Sequence, residues 1–298
     1  MKKRFSWGKV LIHVFFILFS LTFILPILSV LSVSLTDESV ITQAGYSLIP
    51  KKFSTLAYSY IFSNPKKIID GYAVTIFIAS VGTVLSLLVT TSVAYALSRK
   101  NFAYRKFVTY YIFFTMLFSG GLVPSYILIT QYLHLTNNIW VYILPGTISA
   151  WNVIVVRTFM QGIPDALVES AKIDGASEYR IYLQIIIPLS KPVLATIGLL
   201  TMLANWNSWQ PSMLYIRPTH SHLYTLQYLL QRMLLDAQFA QDMANLAPGS
   251  LAMSEAVEVP SEGMRFAMCV LAAGPMLVVF PFFQKYFSKG LTVGAVKG

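Results

Sequence analysis

Charged residues are scarce in this chain of 298 residues. Asp, Glu, Lys and Arg together make up 11% of it, whereas soluble domains carry about 25%. Hydrophobic residues make up 56%, and a helix needs about 20 mainly apolar residues to cross a bilayer. Charge-free windows of about this length or longer lie at 10–36, 71–98, 107–156, 193–216 and 266–284. The composition excludes an ordinary soluble domain and predicts an all-α integral membrane protein.

Cysteine and the common catalytic motifs are also missing. Cys269 is the only cysteine, which excludes an intramolecular disulfide and a multi-thiolate metal site. The sequence has no G-x-x-x-x-G-K-[ST] phosphate-binding loop, no H-E-x-x-H and no G-x-S-x-G. His220 and His222 have no third ligand nearby, which is typical of surface histidines. We therefore expect no catalytic residue, no metal and no cofactor bound by this chain itself.

Six transmembrane helices are predicted, because the third window is too long for one helix. The window 107–156 has 50 residues, and its polar stretch at 131–138 indicates a turn. The predicted helices cover 10–35, 72–97, 107–130, 139–160, 190–210 and 265–285. The other predicted parts are an N-terminal tail at 1–9 and, within a single transmembrane domain at 10–298, outer loops at about 37–71 and 211–263.

The basic residues are distributed unevenly between the two sides of this topology. With the N-terminus inside, fifteen Lys and Arg residues lie on the cytoplasmic side and seven lie outside. Cytoplasmic loops carry such an excess, so both termini are predicted to be cytoplasmic. The net charge of +10 is then a topology signal and requires no nucleic-acid partner. The first apolar run is too long for a cleavable signal peptide, which favours an uncleaved anchor.

One polar segment, at about 161–190, lies between two of the predicted helices. Pro164 and Asp165 suit the first turn of a helix, where a missing N–H costs little and a carboxylate meets the positive end of the dipole. Gly175 can adopt the left-handed conformation that ends a helix. Ser177 suits the N-cap of a second helix. The pattern predicts two short helices.

Two short helices at an angle would form a compact knob on the cytoplasmic face. Small residues would lie between them, and Glu169 and Lys172 are spaced for an i,i+3 ion pair. From these residues alone, an ordinary solvated loop explains the polarity equally well.

The order of residues in this segment is specific. It contains Glu169-Ser-Ala-Lys-Ile-Asp-Gly175-Ala-Ser, followed by Ile-Ile-Pro188-Leu-Ser-Lys-Pro192. This order resembles the EAA loop of permease subunits in binding-protein-dependent ABC importers, with Ser170 in place of the first Ala. The remaining motifs resemble the MalG-type family of carbohydrate permeases, and within it the LplC/YtcP-like branch. They are Gly120-Gly121-Leu-Val-Pro124, Asn137-Asn138, Leu144-Pro145, Tyr224-Thr-Leu-Gln-Tyr and the tail at 284–298.

The resemblance implies a fold, a function and a set of partners. The fold would be the MetI-like fold of type I ABC importer permeases, in a bacterial cytoplasmic membrane. The function would be the ATP-driven import of oligosaccharides, including acidic or complex ones such as alginate or pectin fragments. The partners would be a second, related permease subunit, an extracytoplasmic solute-binding protein, and a dimer of ATPase subunits that binds ATP and Mg.

The resemblance also implies which residues contact the ATPase subunits. The residues expected to couple the chain to the ATPase are Glu169, Ser170, Ala171, Asp174, Gly175, Ala176 and Pro188. A further ATPase contact is expected in the tail, at Lys289, Gly290 and Lys297. A basic tail that merely follows the charge rule is the alternative for the latter.

A second group of polar residues marks a possible path for solute. Asn205, Trp206, Asn207 and Trp209 bring amides and indoles to the outer end of the fifth predicted helix, where they could contact sugar hydroxyls and ring faces. Weaker candidates on neighbouring helices are Tyr126 and Asn152. Alternatively, the tryptophans belong to an interfacial belt and the amides bridge helices.

Two other classes of membrane protein fit the sequence less well. An integral-membrane enzyme of lipid or polysaccharide metabolism would need a cluster of acids or histidines at membrane depth. A secondary transporter would need ionisable relay residues within its helices. The charge-free windows argue against both.

Overall fold

The computed structural model describes residues 7–246 and 261–295, with the side chains of 7–239 and 262–284. The described chain is helical, and its single β-bridge pairs Thr36 with Phe53. In the first half of the chain the α-helices are α1 (Trp7–Ser34), α2 (Glu38–Ala44), α3 (Leu56–Ile61), α4 (Pro65–Ser98), α5 (Arg105–Leu117) and α6 (Leu122–Ile127). The remaining α-helices are α7 (Ala150–Gln161), α8 (Asp165–Ile173), α9 (Glu178–Ile181), α10 (Ile187–Leu189), α11 (Lys191–Trp206), α12 (Gln210–Tyr215), α13 (Leu226–Leu246) and α14 (Ser261–Ala295).

Short helices of other types connect several of these elements. The 3₁₀ helices are Ile139–Tyr142 and Pro218–Leu223, and the π-helices are Leu128–Tyr132 and Tyr182–Ile186. The all-α prediction is thus confirmed over the described residues.

Three described helices are long and apolar enough to cross a membrane, and the number rises to five if two bent pairs each count as one span. The three are α1, α4 and the part of α14 at Glu262–Gln284. One bent pair joins α5 to Leu122–Tyr132 at 114°, where Gly121 adopts a φ of +85°. The other joins Glu178–Leu189 to α11 at 78°. Three of the six predicted helices therefore have a single helix of sufficient length as counterpart, and the helices predicted at 107–130 and 190–210 have one only if each bent pair is counted as one span. The helix predicted at 107–130 is not continuous, because the chain bends at the left-handed Gly121.

The fourth predicted helix, 139–160, is not a continuous helix in the structure either. Asn138 accepts a hydrogen bond from the backbone N–H of Trp140 and starts a 3₁₀ turn instead. The α-helical part begins only at Ala150, where Ser149 is the N-cap, and it has 12 residues. Pro145 and Gly146 lie between the two elements, and both residues disfavour a continuous helix. The segment is therefore interrupted although its composition is apolar.

The chain divides into two compact units. One contains Met1–Pro65 and Leu230–Pro275, and the other contains Lys66–Leu229 and Met276–Gly298. This division does not test whether residues 10–298 form a single transmembrane domain, which stays a prediction. Within the first unit, the Glu38 carboxylate accepts hydrogen bonds from the backbone N–H groups of Glu262 and Gly263, each at 3.0 Å. Negative charge is favourable there because these N–H groups belong to the first turn of α14.

The second unit has two hydrophobic clusters. The first lies beneath the polar segment between α7 and α11, and the second surrounds the irregular segment before α7. One cluster joins the end of α4 to α7, α8, α9 and α11 through buried side chains such as Leu97, Val156 and Val168. The other cluster surrounds Val141, Tyr142 and Ile143 with residues of α4, α12 and α13. The Tyr142 hydroxyl donates to the carbonyl of Leu223 at 2.8 Å. This bond fixes the irregular segment before α7.

Candidate functional site

The polar segment between α7 and α11 forms the predicted pair of short helices. α8 starts directly after Pro164, one residue later than the sequence predicted, with Asp165 in its first turn. It ends at Gly175, whose φ is +74°. The N–H of Ala176 donates to the carbonyl of Ala171 at 2.9 Å, and the N–H of Gly175 donates to the carbonyl of Lys172 at 3.0 Å. These two bonds are those of a Schellman motif.

The second short helix begins where Ser177 was predicted to cap it. The Ser177 hydroxyl accepts a hydrogen bond from the backbone N–H of Arg180. The chain then continues through the π-helix Tyr182–Ile186 and α10 into α11. Pro188 lies exposed in α10. The left-handed glycine and the serine cap together fix the angle between α8 and α9.

The inward side of this segment is anchored in the hydrophobic core. Ile163, Val168, Ile181 and Ile186 are buried in the cluster with α4, α7 and α11. Two of the predicted coupling residues, Ala171 and Ala176, pack against the same cluster. The knob is therefore held rigidly by its apolar face.

The outward side is exposed and combines small, charged and apolar residues. The predicted coupling residues on this side are Glu169, Ser170, Asp174 and Gly175. Large apolar side chains lie beside them: Ile173 is 87% exposed and Tyr179 is 72% exposed. Ile173 and Tyr179 add exposed apolar area to the same short segment that carries the small residues Ser170 and Gly175. Ile173 and Tyr179 were missed from the sequence, although an isoleucine just before a predicted Asp-Gly helix end was a usable signal.

Ion pairs join the knob to the end of α4 and the loop after it. Lys100 Nζ lies 2.9 Å from Asp165 Oδ2. The Tyr95 hydroxyl donates to Glu178 Oε2 at 2.6 Å, and Lys172 pairs with the same carboxylate. The prediction that Lys172 pairs with Glu169 is therefore wrong, because the bend at Gly175 brings Glu178 to Lys172 instead. The i,i+3 rule considers only neighbours within one helix, so it could not identify a partner that lies beyond the helix end.

The cations affect the ionisation of both carboxylates. Hydrogen bonds from Lys172 and then Tyr95 hold the pKa of Glu178 below its usual value. A hydrogen bond from Lys100 does the same to the pKa of Asp165. Both groups are thus ionised at neutral pH. Because water screens exposed ion pairs, these contacts orient the knob more than they stabilise the fold.

A cavity of about 500 Å³ lies where the knob meets the end of α4. Charged side chains of both signs line it, including Arg99, Lys100 and Glu169. The Arg99 guanidinium lies 5.0 Å from the centre of the Tyr95 ring. The contribution of α4 to this site was not predicted, because contacts between residues far apart in the chain leave no local pattern.

The predicted solute-path residues lie at the other end of α11. Asn205 lies against Gly82 of α4, so closely that a Cβ built on Gly82 would be 2.9 Å from its Nδ2. Asn207 Nδ2 donates to the carbonyl of Leu203 at 2.9 Å, and its Oδ1 accepts from Gln227 Nε2 at 3.2 Å. Asn207 therefore joins α11 to α13. This agrees with the alternative prediction from the sequence, in which the amides bridge helices.

The remaining path candidates are packed in different ways. Trp206 is buried within the protein, which argues against an interfacial-belt position for this residue, whereas Trp209 is partly exposed. Asn152 Nδ2 donates to Thr201 Oγ1 of α11 at 3.4 Å. Tyr126 stacks on Tyr215, with ring centres 5.7 Å apart. The structure thus brings Asn152 against α11 and pairs Tyr126 with α12.

The predicted tail contact lies only partly within the described chain. Lys289 and Gly290 belong to α14, and Lys297 lies outside the described residues. Contact of this tail with ATPase subunits stays a prediction. Across the side chains that the structure describes, no three His, Cys, Asp or Glu residues are grouped so that they could hold a metal ion.

Comparisons with known proteins agree on one family. The family described as "Binding-protein-dependent transport system inner membrane component" matches residues 82–293. The polygalacturonan/rhamnogalacturonan transport system permease protein YtcP of Bacillus subtilis (strain 168) is 36% identical over 289 residues, which cover 97% of each chain. Protein LplC of the same organism is 38% identical over 275 residues, 92% of this chain and 90% of LplC.

One solved structure extends the similarity to the fold. A chain of a bacterial ABC transporter involved in the import of the acidic polysaccharide alginate superposes with a TM-score of 0.75. Its sequence is 29% identical, and the match covers 96% of this chain and 100% of that one. The fold expected from the EAA-like segment is therefore confirmed.

Proposed function

Because the chain belongs to the family of inner membrane components of binding-protein-dependent transport systems, we propose that it is the permease subunit of an ATP-driven importer of acidic oligosaccharides. The observation that carries this proposal is the knob between α7 and α11, held by its apolar face and exposed on the other. Such a rigid projection suits a subunit that must transmit force to a separate motor protein.

The knob is the coupling site for the ATPase subunits. Ile173 and Tyr179 provide exposed apolar surface, and Ser170 and Gly175 allow close approach of a partner backbone. The chain has no phosphate-binding loop of its own, so ATP and Mg are bound by a partner ATPase dimer. Closure of that dimer moves the knobs of two permease subunits together and opens the path outward. The second permease is a related chain.

The orientation follows from the distribution of basic residues. The knob and both termini face the cytoplasm, and the loops at about 37–71 and 211–263 face outside, where an extracytoplasmic binding protein delivers the solute. In this orientation the C-terminal tail, with Lys289, Gly290 and Lys297, is cytoplasmic and provides a further ATPase contact.

The names of similar proteins support acidic solutes. YtcP is named for polygalacturonan and rhamnogalacturonan, and the similar solved transporter imports alginate; polygalacturonan and alginate are both polymers of uronic acids. The candidate path residues of this chain are neutral amides and aromatics. They suit sugar hydroxyls and ring faces, so the carboxylates of the solute are recognised by the binding protein or by the second permease.

The test is ATP hydrolysis by the assembled complex in proteoliposomes. The chain is purified together with its second permease, ATPase and binding protein, and short oligogalacturonides are compared with neutral oligosaccharides of equal length. We expect the oligogalacturonides to stimulate hydrolysis and the neutral sugars to leave it at its basal rate. Stimulation by neutral sugars alone would refute the acidic solute. Stimulation by no sugar, with a binding protein that binds its sugar, would refute the permease function itself.

A further inference from the structure

A cavity of about 630 Å³ lies beside the start of α5, within the second unit. Four cationic side chains line it, namely Lys100, Arg105, Lys106 and Arg157. No carboxylate lines it. It is distinct from the cavity beside the knob, with which it shares mainly the short loop that follows α4.

Three of the four cations have no counter-charge in the described structure. Lys100 pairs with Asp165, but Arg105, Lys106 and Arg157 form no ion pair among the described side chains. Arg157 donates from its guanidinium to Thr109 Oγ1 at 3.1 Å, while its Nε is buried without a hydrogen-bond partner in the described part of the chain. A buried donor without an acceptor is unfavourable, so an acceptor anion in this cavity would be stabilising.

The start of α5 also makes a negative charge at this place favourable. α5 has 13 residues, no acidic residue in its first turn and no side-chain cap. Its first two residues are Arg105 and Lys106, where the positive end of the helix dipole makes cations unfavourable. An anion bound at this place would satisfy both the dipole and the side chains.

Apolar surface continues from the cavity along the same helix. Tyr110 and Phe113 line the cavity itself. Phe107, Tyr110, Phe114 and Leu117 follow at helical spacing on α5, and each is more than half exposed. This stripe lies in a segment that is charge-free from residue 107 onward. The site therefore offers positive charge at one end and a hydrocarbon-compatible surface beside it.

We propose that this cavity binds the phosphate head group of an anionic membrane phospholipid, with an acyl chain along the stripe on α5. Basic pockets between membrane helices at the cytoplasmic side bind such head groups, and the proposed orientation places this pocket there. A free phosphate ion would use the cations but not the stripe. An acidic loop of a partner protein would likewise leave the apolar surface at membrane depth unused.

The test uses the assembled complex in vesicles of phosphatidylcholine that contain a trace of phosphatidylglycerol with a photoactivatable group in its acyl chain. After illumination, adducts are mapped by mass spectrometry. We expect adducts on Arg105–Leu117. Arg157→Gln and Lys106→Gln should each lower this labelling about fivefold, since one basic residue near an anionic membrane surface contributes about 1 kcal/mol.

The matched control is Lys191→Gln, which removes an exposed cation at the start of α11 that does not line the cavity. It should leave the labelling unchanged. Lys106 is exposed, so Lys106→Gln remains informative even if Arg157→Gln disturbs folding. Labelling in Lys106→Gln that equals the original level would overturn the proposal.

Competition separates the possible sources of the phosphate. Unlabelled phosphatidylglycerol should displace the probe, whereas inorganic phosphate and additional phosphatidylcholine should not. Displacement by inorganic phosphate would mean that the site holds a small anion and would overturn the lipid assignment. Labelling that appears only after the ATPase subunits are removed would mean that a partner protein covers the cavity, which would overturn it as well.

Discussion

The knob between α7 and α11 and the outer end of α11 are both polar interruptions of an apolar chain, yet they use their polar groups differently. In the knob, Gly175 and Ser177 satisfy the backbone locally, and the apolar Ile173 is left exposed. At the outer end, Asn207 is already bonded to Gln227 and to the backbone. The first region leaves an apolar side chain exposed, whereas the second uses part of its polarity for its own packing.

The two regions therefore differ in how many functions their polar groups allow. In the proposed coupling role, the exposed face of the knob is a docking surface, and the ion pair of Asp165 with Lys100 and the hydrogen bond of Glu178 with Tyr95 hold it from the side of α4. A polar group inside a helical bundle has two uses, because it can bridge helices or face a solute. Asn205 packs closely against Gly82 of α4, but it remains the candidate for the solute because it forms none of the bonds that occupy Asn207.

The sharpest comparison concerns the side of the membrane on which each region lies. With Cys269 replaced by Ser, a cysteine at Ser221 should react with a membrane-impermeant thiol reagent in intact cells. A cysteine at Ser170 should react only in inverted membrane vesicles stripped of peripheral subunits. The expected difference is nearly all-or-none, because the reagent cannot cross the bilayer. The reverse pattern would contradict the proposed orientation.

The next largest effect should come from breaking the turn of the knob. In Gly175→Val a β-branched side chain must adopt a φ of +74°, which costs L-residues about 1–2 kcal/mol. If that strain displaces α8 from its partner, solute-stimulated ATP hydrolysis should fall about tenfold. Basal hydrolysis and the yield of purified complex should be retained, because Val168 and Ile181 still anchor the segment.

A second glycine provides the matched control for this strain. Gly45 ends α2 with a φ of +72°, and a Cβ there, as at Gly175, would meet nothing within 4 Å. Gly45→Val therefore imposes at least as large a conformational penalty outside the knob, because Gly45 also has a ψ of −167°, in a region that essentially only glycine adopts. It should leave stimulated hydrolysis at its original level. Equal losses in both variants would show that strain alone impairs the complex, and the coupling role of Gly175 would be lost.

The knob was predictable from the sequence because its signals are local. Pro164, Asp165, Gly175 and Ser177 act on the backbone within a few residues of themselves, so their effect does not depend on the rest of the fold. The packing of the knob against α4 was not predictable. Tyr95 lies 83 positions from Glu178, and no periodicity relates two residues so far apart.

The irregular segment before α7 was missed for a different reason. Apolar composition predicts that a segment lies in the membrane or in a core, but it does not decide whether the backbone is one continuous helix. Asn138 and Ser149 are good N-caps, and each starts a helix in the structure. Together with Pro145 they were a sufficient sign that 139–160 is interrupted.

The smallest expected effect separates the two uses of the amides at the outer end of α11. Asn205→Ala should lower solute uptake about threefold, since one lost hydrogen bond contributes about 0.5–1.5 kcal/mol. Complex yield and basal ATP hydrolysis should not change.

Asn207→Ala and Gln227→Ala each remove one partner of the same hydrogen bond. Their effects on the stability of the complex should therefore be less than additive in the double variant. Normal uptake by the Asn205→Ala complex would assign Asn205 to helix packing as well, and the solute path would then lie mainly along the second permease.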